Sequence, residues 1–458
     1  MRALKIALLT LLVVFFAACT AGTAGKTFYV STNGKDTYPG SKAKPWRSPA
    51  FGAKKLKPGE TLIILGGRYV LGDYEKDIIR PPAGKADAWI TIKGEDGKRP
   101  ILAGRNNLLT AIELLGGGYI RIQNLEITND KGSQFRDGIE ALEKPVSNIV
   151  LQNLHIHHID EFGVNLGDVN QLKMVDCKIT HCGFGAVGGP AGQQGGWRHV
   201  LITGCSLSYS GHYYQGGPGP SGYDRPDGFG IEPSAGPVEI ADTAAEHNRG
   251  DGLDSKAQNT YIHYCTIANN SCDGVKLWGT GSRLENSLIY GRGDGSSEGT
   301  PWSSLVVHTE KPNSTFEIVN VTIDDAVGGN YAMHVQYDYP DTPTTLTVRN
   351  TIVSARGSNS PVFIAGGVKL TLENNLFYMP NSDSILVRGE QEYDSSSIRQ
   401  LGKGTIYGDP RFVSVADYHL KDGSPAIDKG TSTGAPSTDL AHAPRPKGSA
   451  PDIGAYER

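Results

Sequence analysis

The chain has 458 residues, with 44 Lys+Arg against 48 Asp+Glu and a formal net charge of −4. So even a balance leaves no electrostatic footprint for a nucleic-acid partner. Glycine is abundant at 59 and methionine scarce at 4, which favours many short strands and turns over helices. The length would hold two or three ordinary domains or one elongated one.

At the N-terminus, Arg2 and Lys5 precede an apolar run from Ile6 to Ala18 that is too short to cross a bilayer. Residues 1–18 therefore read as a secretory signal peptide. The following Phe16-Ala17-Ala18-Cys19 is similar to a bacterial lipobox, with Phe16 where Leu is usual, and Cys19 is the candidate lipidation site. The expected location is outside the cytoplasm: a surface or outer-membrane lipoprotein, or a periplasmic or secreted protein. Membrane contact would be through the lipid anchor alone.

Residues 26–70 read as an N-terminal cap, with a strand at TFYVS and a short amphipathic helix in SPAFGAKKL. From residue 120 a pattern recurs: apolar, any, Asn or a small polar residue, any, any, apolar. Its third position falls at Asn124, Asn153, Asp176, Gly204, Tyr264, Asn286, Asn320, Asn350 and Asn374, in steps of 22 to 34 where no copy is skipped. Self-similarity at this period signals a solenoid, and strands this short without helical spacing indicate a parallel β-helix. Successive coils would stack about 4.8 Å apart, so equivalent residues form columns. The expected fold is all-β, a parallel β-helix over residues 26–408, with a Pro/Gly-rich segment, 409–458, closing the far end. A monomer is expected.

Cys205 and Cys265 share one column, and Cys177 fits beside them. Buried thiols explain this better than disulfides or metal ligation, although a bridge between the neighbouring coils of Cys177 and Cys205 stays open. The run HIHHID (155–160) places His155 and His157 on one strand face. No Cys or carboxylate completes a familiar ligand spacing, so surface histidines are the preferred reading.

A second strand type follows the first in each coil: DGIEAL (137–142), FGVNLG (162–167), FGAVGG (184–189), DGFGIE (227–232), DGLDSK (251–256) and DGVKLW (273–278). Its third residue points inward and its fourth outward, so Asp254 and Lys276 fall on adjacent rungs of one outer column. Asp227 and Asp251 lie at the preceding turn, and Asp273 reads as a turn residue. Three carboxylates gathered there repel one another unless a cation binds, and hard oxygen ligands on rigid turns favour Ca²⁺. A lysine beside that cation would have its pKa lowered toward base function.

In these motifs (DGF at 227–229, DGLD at 251–254, GVKLWG at 274–279) the chain resembles the pectate lyases of polysaccharide lyase family 9. The resemblance implies a right-handed parallel β-helix, Asp227, Asp251 and Asp254 as Ca²⁺ ligands, and Lys276 as Brønsted base. Gly250 departs from the family pattern, which has another aspartate there; Asp224 or Glu232 would be the substitutes.

The implied reaction is β-elimination on a uronate polymer, pectate first among candidates. Arg249, Arg292 and His308 are weaker candidates for a leaving-group acid. Tyr213, Tyr214 and Tyr223 in the loop before Asp227 suit sugar stacking, Arg225 suits a carboxylate, and Trp278 and Trp302 suit the groove wall. Three other readings remain at this stage: a glycoside hydrolase, a uronan epimerase, and a non-catalytic carbohydrate-binding solenoid.

Overall fold

The computed structural model describes residues 25–212, 226–291, 303–325, 331–355 and 362–458. Three sheets of 13, 13 and 12 strands run the length of the molecule, each built from one strand per coil. The first opens with Thr27–Val30, the second with Arg68–Leu71 and the third with Leu108–Glu113. Pairing is parallel in all three, except that Gln391–Tyr393 closes the third sheet antiparallel to Leu386–Arg388. This is the parallel β-helix that the recurring pattern predicts.

The turn residue of that pattern has a definite backbone role. Asn124, Asn153, Asp176, Tyr264, Asn286, Asn320, Asn350 and Asn374 all sit at φ between 40 and 54°. Each links a first-sheet strand to a second-sheet strand through the left-handed region, which Asn tolerates better than other non-glycine residues. One left-handed residue per coil bends the chain sharply, whatever the length of the loops elsewhere. Register is thereby preserved: Ile92, Ile122, Leu151, Met174, Ile202, Ile240, Ile262 and Leu284 stack as one inward column. All eight are fully buried, and each contributes on the order of 1.5–3 kcal/mol by leaving water.

Just past the turn, Cys177, Cys205 and Cys265 occupy the inward column as expected. All three are buried and unbridged, as are Cys182 and Cys272.

The expected N-terminal helix is α1, Pro49–Lys55, capped by Ser48 Oγ accepting from Phe51 N (3.3 Å). It buries Pro49, Ala50, Gly52 and Ala53 beside Leu62 and Trp46 at the start of the first sheet.

Residues 409–458, expected to close the far end, take a different path. The stack is finished by the antiparallel strand Gln391–Tyr393 and by Ile398, which joins the core. The terminal segment instead runs back along the turn column. Asn374 Nδ2 donates to Lys429 O (2.7 Å), Asn350 Nδ2 to Thr431 O (2.8 Å), and Asn286 Nδ2 to Thr438 O (2.6 Å). His442 then meets Asp242 (2.7 Å). The reason is chemical. A Pro/Gly-rich segment offers backbone polar groups, which match a column of amide side chains better than the apolar end of a core.

Asn320 is fully buried, with Nδ2 on Asp452 O (3.1 Å) and Gly454 O (3.2 Å) and Oδ1 on Asn350 Nδ2 (3.1 Å). Replacing it by Ala removes these bonds and forces a Cβ-bearing residue without a local hydrogen bond into the left-handed region. Asn320→Ala is expected to cost about 2–4 kcal/mol in denaturant unfolding. Asn320→Gly, which keeps the backbone conformation, should cost about 1 kcal/mol less.

Candidate functional site

The outer face of the third sheet carries the polar columns. Parallel register places Asp227 beside Asp251 and Asp251 beside Asp273 at the strand starts, and Gly230, Asp254, Lys276, Val306 and His334 in a second column three residues on. The expected adjacency of Asp254 and Lys276 is therefore correct.

Each strand-start carboxylate binds the backbone of the next coil. Asp227 Oδ1 accepts from Asp251 N (2.7 Å), Asp251 Oδ1 from Asp273 N (2.8 Å), and Asp273 Oδ1 from Ser303 N (2.6 Å). The second oxygens face outward. Lys276 Nζ lies 2.9 Å from Asp251 Oδ2 and 3.1 Å from Asp273 Oδ2. Trp278 Nε1 donates to Asp254 Oδ1 (2.9 Å). Asp273 is thus more than a turn residue, since it supplies half of the lysine's cage; the repeated Asp-Gly at the same coil position was the sequence signal for it.

Carboxylates outnumber ammonium groups here, and the electrostatics reflect that excess. Burial, with the charges of Asp251 and Asp254, pushes the Asp227 carboxyl well above the usual range. Burial raises Asp254 to about 7 and Asp273 to about 6, against the pull of Lys276. For Lys276, burial opposes its charge but is outweighed by Asp251, Asp273 and Asp254, which hold the ammonium well above the ordinary lysine range. Two carboxylate oxygens touch the ammonium directly, which is why these charges outweigh burial.

The donor set fits a hard cation. Carboxylate oxygens of Asp227, Asp251 and Asp254 lie within 4.8 Å of one another. Gly230 leaves room for them, since a Cβ there would sit 2.6 Å from Asp227 Oδ2. Glu232, a suggested substitute for the ligand missing at Gly250, is instead paired with Lys256 (2.6 Å), whose ammonium also lies over the Trp278 ring.

Beyond Lys276 the sheet presents aromatic residues that the sequence did not single out as a group. His308 meets Trp278 edge-on at 4.6 Å, and Tyr339 lies 5.0 Å beyond it. In the next coils His334 stacks with Tyr331 (4.7 Å) and packs near Tyr337 and Phe363. Tyr213, Tyr214, Tyr223, Asp224, Arg225, Arg292, Trp302 and Cys19 lie outside the described residues.

A family model described as "Pel9A-like, right handed beta helix region" matches residues 28–299, more than half of the chain. The chain belongs to that family and is a right-handed parallel β-helix. Over 95% of its length it aligns with a solved pectate lyase Pel9A (97% of that chain, 15% identity, TM-score 0.47). Over 73% it aligns with the A-module of the Azotobacter vinelandii mannuronan C-5 epimerase AlgE4 (93% of that chain, 12% identity, TM-score 0.54). A lacto-N-biosidase of Bifidobacterium longum subsp. longum is 26% identical over 200 residues, 31% of this chain and only 12% of that protein. The family match identifies a Pel9A-like right-handed β-helix, and the solved neighbours share that fold.

The raised carboxyls give the cluster a testable pH signature. Above about 4 the folded chain holds protons that the unfolded chain has released near 3.9, on Asp273 up to about 6 and on Asp254 up to about 7. Their contribution to stability is therefore present below about 4 and is lost as pH rises through about 7. Urea unfolding in chelator should show Asp254→Asn losing less stability than wild type from pH 4 to pH 8.

Proposed function

We propose that this Pel9A-like protein is a lyase that cleaves a uronate-containing acidic polysaccharide, pectate-like first, by Ca²⁺-assisted β-elimination with Lys276 as the base. The observation that carries the reading is the charge imbalance: among the described residues Asp251 and Asp273 contact Lys276, Asp227 and Asp254 add their charge beside them, and Lys256 acts on Asp254 from farther off. A cluster this anionic and this buried calls for a second cation. Asp227, Asp251 and Asp254 would hold it.

Bound Ca²⁺ would supply charge neutralisation at the substrate's C6 carboxylate, which acidifies the C5 proton. The chain's own groups do the rest. With Asp251 and Asp254 committed to a cation, less negative charge acts on Lys276, and its hold on the proton weakens in the direction a base needs. Lys276 Nζ then takes the C5 proton. The C5–H electron pair becomes the C4=C5 double bond, and the C4 oxygen leaves with its pair and takes a proton from water. Asp273 keeps Nζ in place, and Trp278 fixes Asp254 through its indole N–H.

Tyr213, Tyr214, Tyr223, Arg225 and Trp278 are the proposed substrate contacts, with the aromatic surface around His334 extending the track. Export by residues 1–18 and lipidation at Cys19 would place the activity at the bacterial surface, where such polymers are met.

A second reading has one observation in its favour. The close Lys276–Asp251–Asp273 contact would also serve as a brace between coils in a non-catalytic binding solenoid.

Incubation with polygalacturonate or alginate, followed by ultraviolet absorbance of unsaturated ends, separates these readings. Wild type should generate that absorbance only with Ca²⁺, and Lys276→Ala should lower the rate by about 10²–10⁴-fold. Reducing ends without the absorbance would establish hydrolysis instead. Binding without turnover on any uronan would leave the brace.

A further inference from the structure

On the outer face of the second sheet, the histidine run meets a carboxylate from the preceding coil. His155 and His157 project from the strand His155–Ile159, and Glu126, one coil earlier, pairs in register with His155. We propose that Glu126, His155 and His157 form a binding site for a borderline divalent transition cation of the Zn²⁺ class, separate from the aspartate cluster.

Ligand atoms of all three residues lie within 4.8 Å of one another. His157 Nε2 and Glu126 Oε1 are 3.4 Å apart, long for a charge-assisted hydrogen bond. Two ligands bound about 2.0–2.1 Å from a tetrahedral Zn²⁺ lie about 3.3–3.4 Å apart, so the spacing matches one edge of that coordination shell.

The other ring nitrogen of His157 is already held. Its Nδ1 is 3.1 Å from Thr128 Oγ1 and 2.7 Å from His158 Nδ1, which directs Nε2 toward Glu126. A metal-binding histidine is oriented in this way by an outer partner. His155 makes no side-chain hydrogen bond to a described residue, and its ring lies 4.3 Å from that of His157. Two imidazoles and one carboxylate suit Zn²⁺ over Ca²⁺ and leave a fourth position for water or a small ligand.

The site is distinct from the one around Lys276. It occupies a different sheet, two coils before Asp227 and four before Lys276, about 10 and about 19 Å along the axis at about 4.8 Å per coil. On the same outer face Lys178 pairs in register with His155 on the far side from Glu126, and its exposed side chain is free to extend into solvent.

The test is calorimetric titration of metal-stripped full-length protein with ZnCl₂, in excess Ca²⁺ so that the aspartates are not available. One Zn²⁺ per chain is expected. His155→Ala and His157→Ala should each weaken binding by about 100-fold or more, and Thr128→Val by about 10-fold. Asp254→Asn should leave it unchanged, and Co²⁺ should give the intense visible bands of tetrahedral coordination. Thermal midpoints of the metal-free variants within a few degrees of wild type would confirm that they fold. Zn²⁺ affinity equal in wild type and the His155→Ala/His157→Ala double variant would overturn the proposal, as would loss of binding in Asp254→Asn alone.

Discussion

Everything in this molecule follows from in-register stacking, which places one side chain per coil at each position, about 4.8 Å from its neighbours above and below. The left-handed asparagine turns enforce that register while the other loops vary in length. In the core the consequence is simple, because an isoleucine column packs as well as any single isoleucine. On the outer faces it is demanding. A strand-start column of Asp227, Asp251 and Asp273 brings like charges close together, and the stack tolerates it by giving each carboxylate a backbone N–H from the following coil. Those bonds occupy one oxygen of each carboxylate and leave the other directed outward. The same geometry that makes the column costly therefore makes it a ligand array.

The outer faces are divided between structure and chemistry. On the second sheet, one outward column reads Glu126, His155, Lys178, Ser206, Ala244, Thr266, Leu288, Thr322, Ile352 and Leu376. It turns from polar to largely apolar where the C-terminal segment lies over it, with Leu420, Ala426 and Ile453 packed on Ile352 and Leu376. Tyr418, Leu440 and Ala455 pack on Leu288 in the same way. The returning segment thus covers the late coils of this face, while its early coils keep their titratable groups. The third sheet keeps its aspartates, lysine and aromatic residues on the outside.

The sequence reveals what is local to one coil or repeats between coils. The turn residues, the inward cysteines and the Asp254–Lys276 adjacency follow from strand alternation and coil length, both of which can be read off the chain. Glu126 and His155 each stand two residues past a turn asparagine, Asn124 and Asn153, so the repeat carries their adjacency, but a ligand spacing counted along one strand does not show it. What the sequence hides depends on contacts whose partner cannot be inferred from the repeat. Asp273 looks like any Asp-Gly turn until the lysine side chain is seen to bend back to it. The two carboxylates that touch Lys276 are hidden for a related reason, since a strand pattern gives the rung of a lysine and not the direction its side chain takes. The path of residues 409–458 was hidden because a Pro/Gly-rich segment carries no periodicity to say what it lies against.

Because the fold hosts lyases, epimerases and hydrolases alike, the choice among them rests on a few groups near Lys276. A hydrolase needs two carboxyls set across the sugar, one of them protonated. Here the carboxyls are gathered on one side and engaged with backbone donors, which suits ligation better than that division of labour. Elimination and C5 epimerisation begin alike, with removal of the C5 proton, and diverge in whether a second group returns a proton to the opposite face. In the coils beyond Lys276 the nearby imidazoles are His308 and His334, both pushed down by burial, His334 to about 4. At neutral pH they are uncharged and poor proton donors. Tyr339, hydrogen-bonded to Glu310, is pushed up and holds its proton. Among the described residues, then, the imidazoles beyond Lys276 are poorly set to return a proton, and the proposed elimination depends on a cation drawing off the carboxylate charge that keeps Lys276 protonated.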